Sequence, residues 1–183
     1  MTKPADQINP GSNPDDSSLR VRSSFGIGHA LFVVFLYALD QITKWLVVQN
    51  IPLGTGRPVI PNFFDLVYFT NTGAAFSAFT NNNAFFIILS TVVLGALFFF
   101  HRRGAFKGKL LNIGLSLLVA GILGNLTDRI LHRHVIDFLL FDLHVKFADP
   151  WPAFNVADSC ICVAATIFVL GSFLEDSNPR RSV

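Results

Sequence analysis

The chain has 183 residues, 51% of them hydrophobic and only 14% charged, with 20 phenylalanines and a mean hydropathy of +0.51. A soluble domain of this length carries more charge and shorter apolar runs. The composition therefore excludes a water-soluble enzyme and points to a protein that crosses a membrane several times.

In chain order, residues 1–24 are polar and rich in Asp, Asn, Pro and Ser, which reads as a disordered tail. They lack the short basic region and small-residue cleavage pattern of a secretory signal. The first span is predicted from Phe25 through Leu39, continuing past Asp40 and Lys44 into Trp45-Leu46-Val47-Val48. Asp40 and Lys44 stand four apart and share a helix face. They read either as a structural ion pair or as part of a catalytic site. The connection from Ile51 to Asn83 contains Phe63-Phe64-Asp65-Leu66-Val67-Tyr68-Phe69, bounded by Pro61-Asn62 and Asn71-Thr72-Gly73. That pattern predicts one or two short strands at the membrane surface.

Span two, Ala84 to Phe100, is uncharged over 17 residues, and span three, Leu110 to Thr127, over 18. With their flanks, both reach the roughly 20 residues a bilayer crossing needs. Span three ends Ala120-Gly121-Ile122-Leu123-Gly124-Asn125-Leu126-Thr127-Asp128-Arg129. Its glycines allow a neighbouring backbone to approach closely. Gly121, Asn125 and Asp128 share a face, and Arg129 lies one turn beyond Asn125. Helix packing does not explain this polar group, whereas a structural Asp-Arg pair or substrate binding does.

The connection from Ile130 to Pro152 carries Val135-Ile136-Asp137-Phe138 and ends in the interfacial pair Trp151-Pro152. Span four is uncharged from Ser159 to Leu174 and extends back to Ala153. It opens Phe154-Asn155-Val156-Ala157-Asp158, with Asn155 placed to cap the helix and Asp158 placed well against its dipole. Cys160 and Cys162, two apart on a helix, face different directions and read as packing residues rather than a disulfide or metal clip. The organisation is one four-span domain over residues 25–174, with a tail at 175–183.

An even number of spans puts both termini on one side. Nine of the 14 basic residues (Lys3, Arg20, Arg22, Arg102, Arg103, Lys107, Lys109, Arg180, Arg181) fall on the side of the termini, against four opposite (Arg57, Arg129, Arg133, Lys146). The termini are then expected in the cytoplasm and the two long connections outside.

Asp137 and Asp158 both fall at the outward end of the hairpin of spans three and four. Two carboxyls brought together cannot both ionise easily, so the pair shares a proton. One member then takes a proton from water while the other polarises a scissile carbonyl, which is the chemistry of peptide hydrolysis. Spacing allows three pairs among Asp128, Asp137 and Asp158, and Arg129 beside Asp128 marks that one as the permanent anion. Competing chemistries have less support. His132, His134 and His144 with Asp137 could gather a metal, but there is no His-Glu-x-x-His, and the only glutamate is Glu175. No nucleophilic-serine motif or phosphate-binding glycine loop is present. Four spans without an internal repeat make a poor transporter, and a purely structural scaffold leaves the outward Asp, Asn and Arg unexplained.

Five motifs together resemble the bacterial lipoprotein signal peptidases, the signal peptidase II family: Asp40-Gln-Ile-Thr-Lys44, Asn71-Thr-Gly-Ala-Ala-Phe-Ser77, Gly124-Asn-Leu-Thr-Asp-Arg129, Val135-Ile-Asp-Phe138 and Phe154-Asn-Val-Ala-Asp158. The resemblance spans all four helices. It implies an all-α polytopic membrane fold with a small outward β-element after span one and a short outward helix between spans three and four. It also implies an aspartic endopeptidase whose catalytic pair is Asp137 and Asp158. Asp40, Lys44, Asn71, Asn125, Asp128, Arg129 and Asn155 would support the site, with Gly124 inside one motif and Gly73, Ala74 and Ala75 leaving room for substrate. The implied substrate is a diacylglyceryl-modified prolipoprotein cut before its lipidated cysteine. No metal or cofactor is implied, and globomycin is the implied inhibitor. The expected partners are lipidated precursors and membrane lipid, with no nucleic acid, and the chain is expected to act as a monomer in the bacterial inner membrane. Two departures from the family pattern stand out: Ala120-Gly121 where Gly-Gly is usual, and the 24-residue polar head.

Overall fold

The structure, a computed structural model, describes residues 26–73, 82–145 and 151–176. The polar head and nearly all of the 175–183 tail lie outside the described residues. Among the described residues there are four long apolar helices, α1 (Ile27–Asn50), α2 (Asn83–Arg102), α3 (Lys109–His132) and α4 (Val156–Asp176), each long and apolar enough to cross a membrane. Three strands, β1 (Gly56–Ile60), β2 (Phe64–Asn71) and β3 (Val135–Phe141), form an antiparallel sheet in the order β1-β2-β3.

Helix α3 is the centre of the bundle and packs on α1, α2 and α4. Lipid is as apolar as leucine, so hydrophobicity gives helices little reason to associate, and close packing of small residues takes its place. A Cβ on Gly121 would stand 2.5 Å from the Ala157 carbonyl oxygen and 2.7 Å from Ile161 Cγ1, so α4 crosses here with its backbone against α3. A Cβ on Gly124 would meet Asp40 Oδ2 at 2.5 Å, which brings α1 equally close. Ala120, where the family pattern has glycine, fits fully buried beside this crossing. Gly121→Ala is therefore expected to push away the first turn of α4 and to cost about 1–3 kcal/mol of stability. Thermal unfolding in detergent checks this, with Gly95→Ala on α2, where a Cβ meets nothing within 4 Å, as the unaffected control.

The β-branched and aromatic run of the first connection forms β2, as expected, Gly56 to Ile60 ahead of that run forms β1, and the second connection supplies a third strand. Strand β3 pairs with β2 in the register Phe69↔Asp137, Thr70↔Ile136 and Asn71↔Val135. A short helix was expected between spans three and four. Among the described residues that connection holds strand β3, where Val135 to Phe141 satisfies its backbone on the open edge of β2, and extended chain; residues 146–150 lie outside the described residues. Only Arg133, left-handed at φ 65°, and His134 separate α3 from this strand.

Beyond β3 the chain returns to the sheet once more. Leu139 N–H donates to Phe154 O at 2.8 Å and Phe154 N–H to Leu139 O at 3.0 Å, just before α4 begins. Phe141 stacks between Phe64 and Phe154, at centroid distances of 4.7 and 5.8 Å. This bridge docks the N-terminus of α4 against the strand that carries Asp137.

Candidate active site

Asp137 and Asp158 line one cleft of about 760 Å³. Its walls come from the end of β2, from β3, from the rim Trp151 to Phe154, and from facing sides of α2, α3 and α4. Asp137 is buried on β3, and Asp158 is partly buried in the first turn of α4.

Asn155 joins the two carboxylates. Its Oδ1 accepts from the Asp158 N–H at 2.9 Å, while its own N–H donates to Asp158 Oδ2 at 3.2 Å, a reciprocal cap of the helix start. With Oδ1 so engaged, Nδ2 turns to Asp137 Oδ1 at 2.8 Å. The orientation of Asn71 is set in the same way. Its Oδ1 accepts from Gly73 N–H at 3.0 Å, which leaves Nδ2 to donate to Asp137 Oδ2 at 3.0 Å. Asn125 is oriented by a cation: Lys44 Nζ donates to its Oδ1 at 3.2 Å, and its Nδ2 donates to Asp158 Oδ1 at 2.7 Å. Each dyad oxygen thus faces an N–H donor; Asn71 and Asn125 are oriented from outside the dyad, and Asn155 by the Asp158 backbone itself. The Asp137 carboxyl is pushed up to about 7, first by burial and next by the charge of Asp158, against the opposing pull of its bonds from Asn71 and Asn155.

Behind the dyad lies a buried charge cluster. Lys44 Nζ is 2.8 Å from Asp40 Oδ2 and 2.8 Å from Asp128 Oδ2. Asp40 Oδ1 accepts from Ala157 N–H at 2.8 Å, tying α1 to the start of α4. Asp128 Oδ2 accepts from Ile136 N–H at 3.1 Å, tying α3 to the residue before Asp137.

The chain as a whole has counterparts among known proteins. Residues 32–174 match the sequence model of the family described as signal peptidase (SPase) II. The chain belongs to the signal peptidase II family. It is therefore an aspartic peptidase with several membrane-spanning helices. It resembles a bacterial membrane enzyme solved by the in meso method at 2.3 Å, with a TM-score of 0.76 and 30% identity over 86% of this chain and 94% of that one. A second bacterial membrane enzyme, solved by the same method at 1.9 Å, gives a TM-score of 0.71 and 32% identity over 79% and 92% of the two chains.

For this signal peptidase II chain, the structure brings together Asp40, Lys44, Asn71, Gly73, Gly124, Asn125, Asp128, Arg129, Asp137, Asn155 and Asp158, while Ala74 and Ala75 lie outside the described residues. One pairing differs from the sequence reading. The cation on Asp128 is Lys44 rather than the adjacent Arg129, whose guanidinium donates to Gly73 O at 3.1 Å. Neighbours in sequence leave a helix about 100° apart, so Asp128 turns toward α1 and Arg129 toward the cleft. His144 pairs with Asp142 at 3.2 Å, and His132 packs against His134; among the described residues no three His, Cys, Asp or Glu side chains are placed to hold a metal ion. Cys160 is buried, whereas Cys162 is exposed and faces the cleft.

Sequence reasoning passed over Gln41, whose Nε2 lies 3.1 Å from Asp40 Oδ2, 3.2 Å from Asp128 Oδ1 and 3.3 Å from Gly124 O. A carboxamide among apolar residues in a span was a usable signal. It also passed over Phe86, whose ring centroid lies 4.7 Å from the Arg129 guanidinium carbon. One phenylalanine among 20 carries no such signal.

Proposed function

We propose that the chain removes the signal peptide from diacylglyceryl-modified prolipoproteins, cutting the bond before the lipidated cysteine with Asp137 and Asp158 as the catalytic pair. The observation that carries this reading is the joining of both carboxylates through Asn155 at the edge of one cleft among membrane helices. Membership of the signal peptidase II family supports the substrate class.

With its affinity for protons near neutrality, Asp137 carries the shared proton. Asp158 takes a proton from the attacking water while Asp137 gives its own to the carbonyl oxygen, producing a geminal diol. On collapse the C–N bond breaks, the leaving amine takes the proton from Asp158, and a diol hydroxyl returns one to Asp137. Water and peptide become acid and amine, and the dyad is restored. The substrate enters sideways from the lipid with its acyl chains still in the bilayer, so the membrane fixes part of its orientation. The enzyme sits in the bacterial inner membrane with cytoplasmic termini and an outward active site, as the basic-residue asymmetry supports. It acts as a monomer, and globomycin blocks it.

The test is incubation of purified protein with lipidated and non-lipidated forms of one precursor, with mass analysis of the products. The expected result is release of the signal peptide from the lipidated form alone, undiminished by a strong chelator. An intact lipidated precursor, or activity lost with chelation, overturns the reading.

A further inference from the structure

Helix α2 holds no buried residue along Asn83–Arg102, supplies neither carboxylate, and packs chiefly on α3. At its first turns two side chains nevertheless reach the site. Asn83 Nδ2 donates to Arg129 O at 3.0 Å, and the Phe86 ring lies under the Arg129 guanidinium at 4.7 Å. The two are three apart, so both come from one helix face. Arg129 is itself buried, and its guanidinium leads onward to Gly73 O, from Gly73 N–H to Asn71 Oδ1, and from Asn71 Nδ2 to Asp137 Oδ2, at 3.1, 3.0 and 3.0 Å.

We infer that Phe86 is a positioning residue of the peptidase, holding the Arg129 guanidinium in the plane that fixes the Asn71–Gly73 turn and, through it, Asp137. The inference rests on the proposed peptidase reading for its kinetic readout only. An arginine has several rotatable bonds and five N–H donors. Its carbonyl bond to Gly73 uses one of them, and the aromatic face selects the guanidinium plane in which that bond forms. A leucine in place of Phe86 keeps the apolar volume and lacks the π face. The guanidinium is then free to turn, the Gly73 bond loosens, and the Asn71 amide no longer holds its direction toward Asp137. Since the bond from Asn71 lowers the Asp137 proton affinity, its weakening raises that affinity.

The test compares wild type with Phe86→Leu, Phe86→Tyr, Arg129→Gln and the Phe86→Leu/Arg129→Gln pair. Two quantities are read in the purified proteins: kcat with a lipidated precursor, and the midpoint of the Asp137 protonated-carboxyl infrared band, identified by difference from Asp137→Asn. Phe86→Leu is expected to lower kcat about fivefold to tenfold, as loss of a desolvated cation–π contact allows, and to move the midpoint upward. Phe86→Tyr, which keeps the π face, recovers most of the rate and the original midpoint. In the Arg129→Gln background, Phe86→Leu costs nothing further. An unshifted midpoint in Phe86→Leu, or an equal loss with and without Arg129, overturns the inference. The infrared midpoint needs no substrate, so a wild-type protein that fails to cleave would overturn the peptidase reading while leaving this one decided.

Discussion

Asp137→Asn is expected to abolish cleavage, by about a thousandfold or more, and at the same time to make the protein harder to unfold above neutral pH. Both effects come from the same burial. The Asp137 carboxyl binds its proton up to about pH 7 in the folded protein, against 3.8 for an ordinary aspartate. Between those values the folded state holds more protons than the unfolded one, so stability falls as pH rises through that window and levels off above it. The cost approaches about 1.4 kcal/mol for each pH unit in the window. An asparagine fills the same space without ionising. The gain in melting temperature over wild type should therefore be small at pH 4 and largest at pH 8, measured by thermal unfolding in detergent. Wild-type cleavage should also fall above roughly neutral pH, where the dyad loses its shared proton. A variant that still cuts at the normal rate would remove the aspartic mechanism from these two residues. A melting difference that does not change with pH would remove the account of how Asp137 is tuned.

Lys44→Met is expected to be among the most damaging single changes to stability. The lysine is 2% exposed, and its ammonium is the shared cation of Asp40 and Asp128, each 1% exposed. Removing it leaves two buried carboxylates facing one another and takes away the donor that orients Asn125. Breaking a buried ion pair from one side costs about 3–5 kcal/mol, enough to deplete the folded protein in the membrane. The check is a rescue. Adding Asp40→Asn and Asp128→Asn to Lys44→Met removes the stranded charges and should restore much of the melting temperature. Cleavage should stay low, because Asn125 is no longer turned toward Asp158. If Lys44→Met alone melted like wild type, the cluster would have no structural role.

The parts legible in the sequence were those written in local chemistry. Four apolar runs gave four helices, Asn155 and Asp158 read as a helix start, and the carboxylates at the ends of spans three and four stood out because ionisable groups near hydrocarbon need a reason. The choice among Asp128, Asp137 and Asp158 was not legible from spacing. Where Asp137 points depends on β3 pairing with β2 some 65 residues earlier, since Asn71↔Val135 sets which strand face Asp137 presents. The partner of Asp128 was misread for a related reason: adjacency in sequence suggested Arg129, while the helical turn pointed Asp128 at a lysine in another span. The third strand was not legible either, because Val135 to Phe141 pairs with a partner invisible from its own residues, the free edge of β2. Phe86 is the extreme case. Nothing about it differs from its many aromatic neighbours until α2 is placed against Arg129.

The bridge between Leu139 and Phe154, together with the pairing of β2 and β3, has a consequence for how the molecule is made. The machinery is woven from segments far apart along the chain, from Asp40 on α1 to Asp158 on α4. With Asp137 and Asp158 as the proposed pair, a nascent chain that has not yet placed α4 holds only one of the two carboxylates and is expected to have no cutting power. A protease that must thread its own hydrophobic segments into the bilayer is thereby kept from attacking itself or its neighbours on the way.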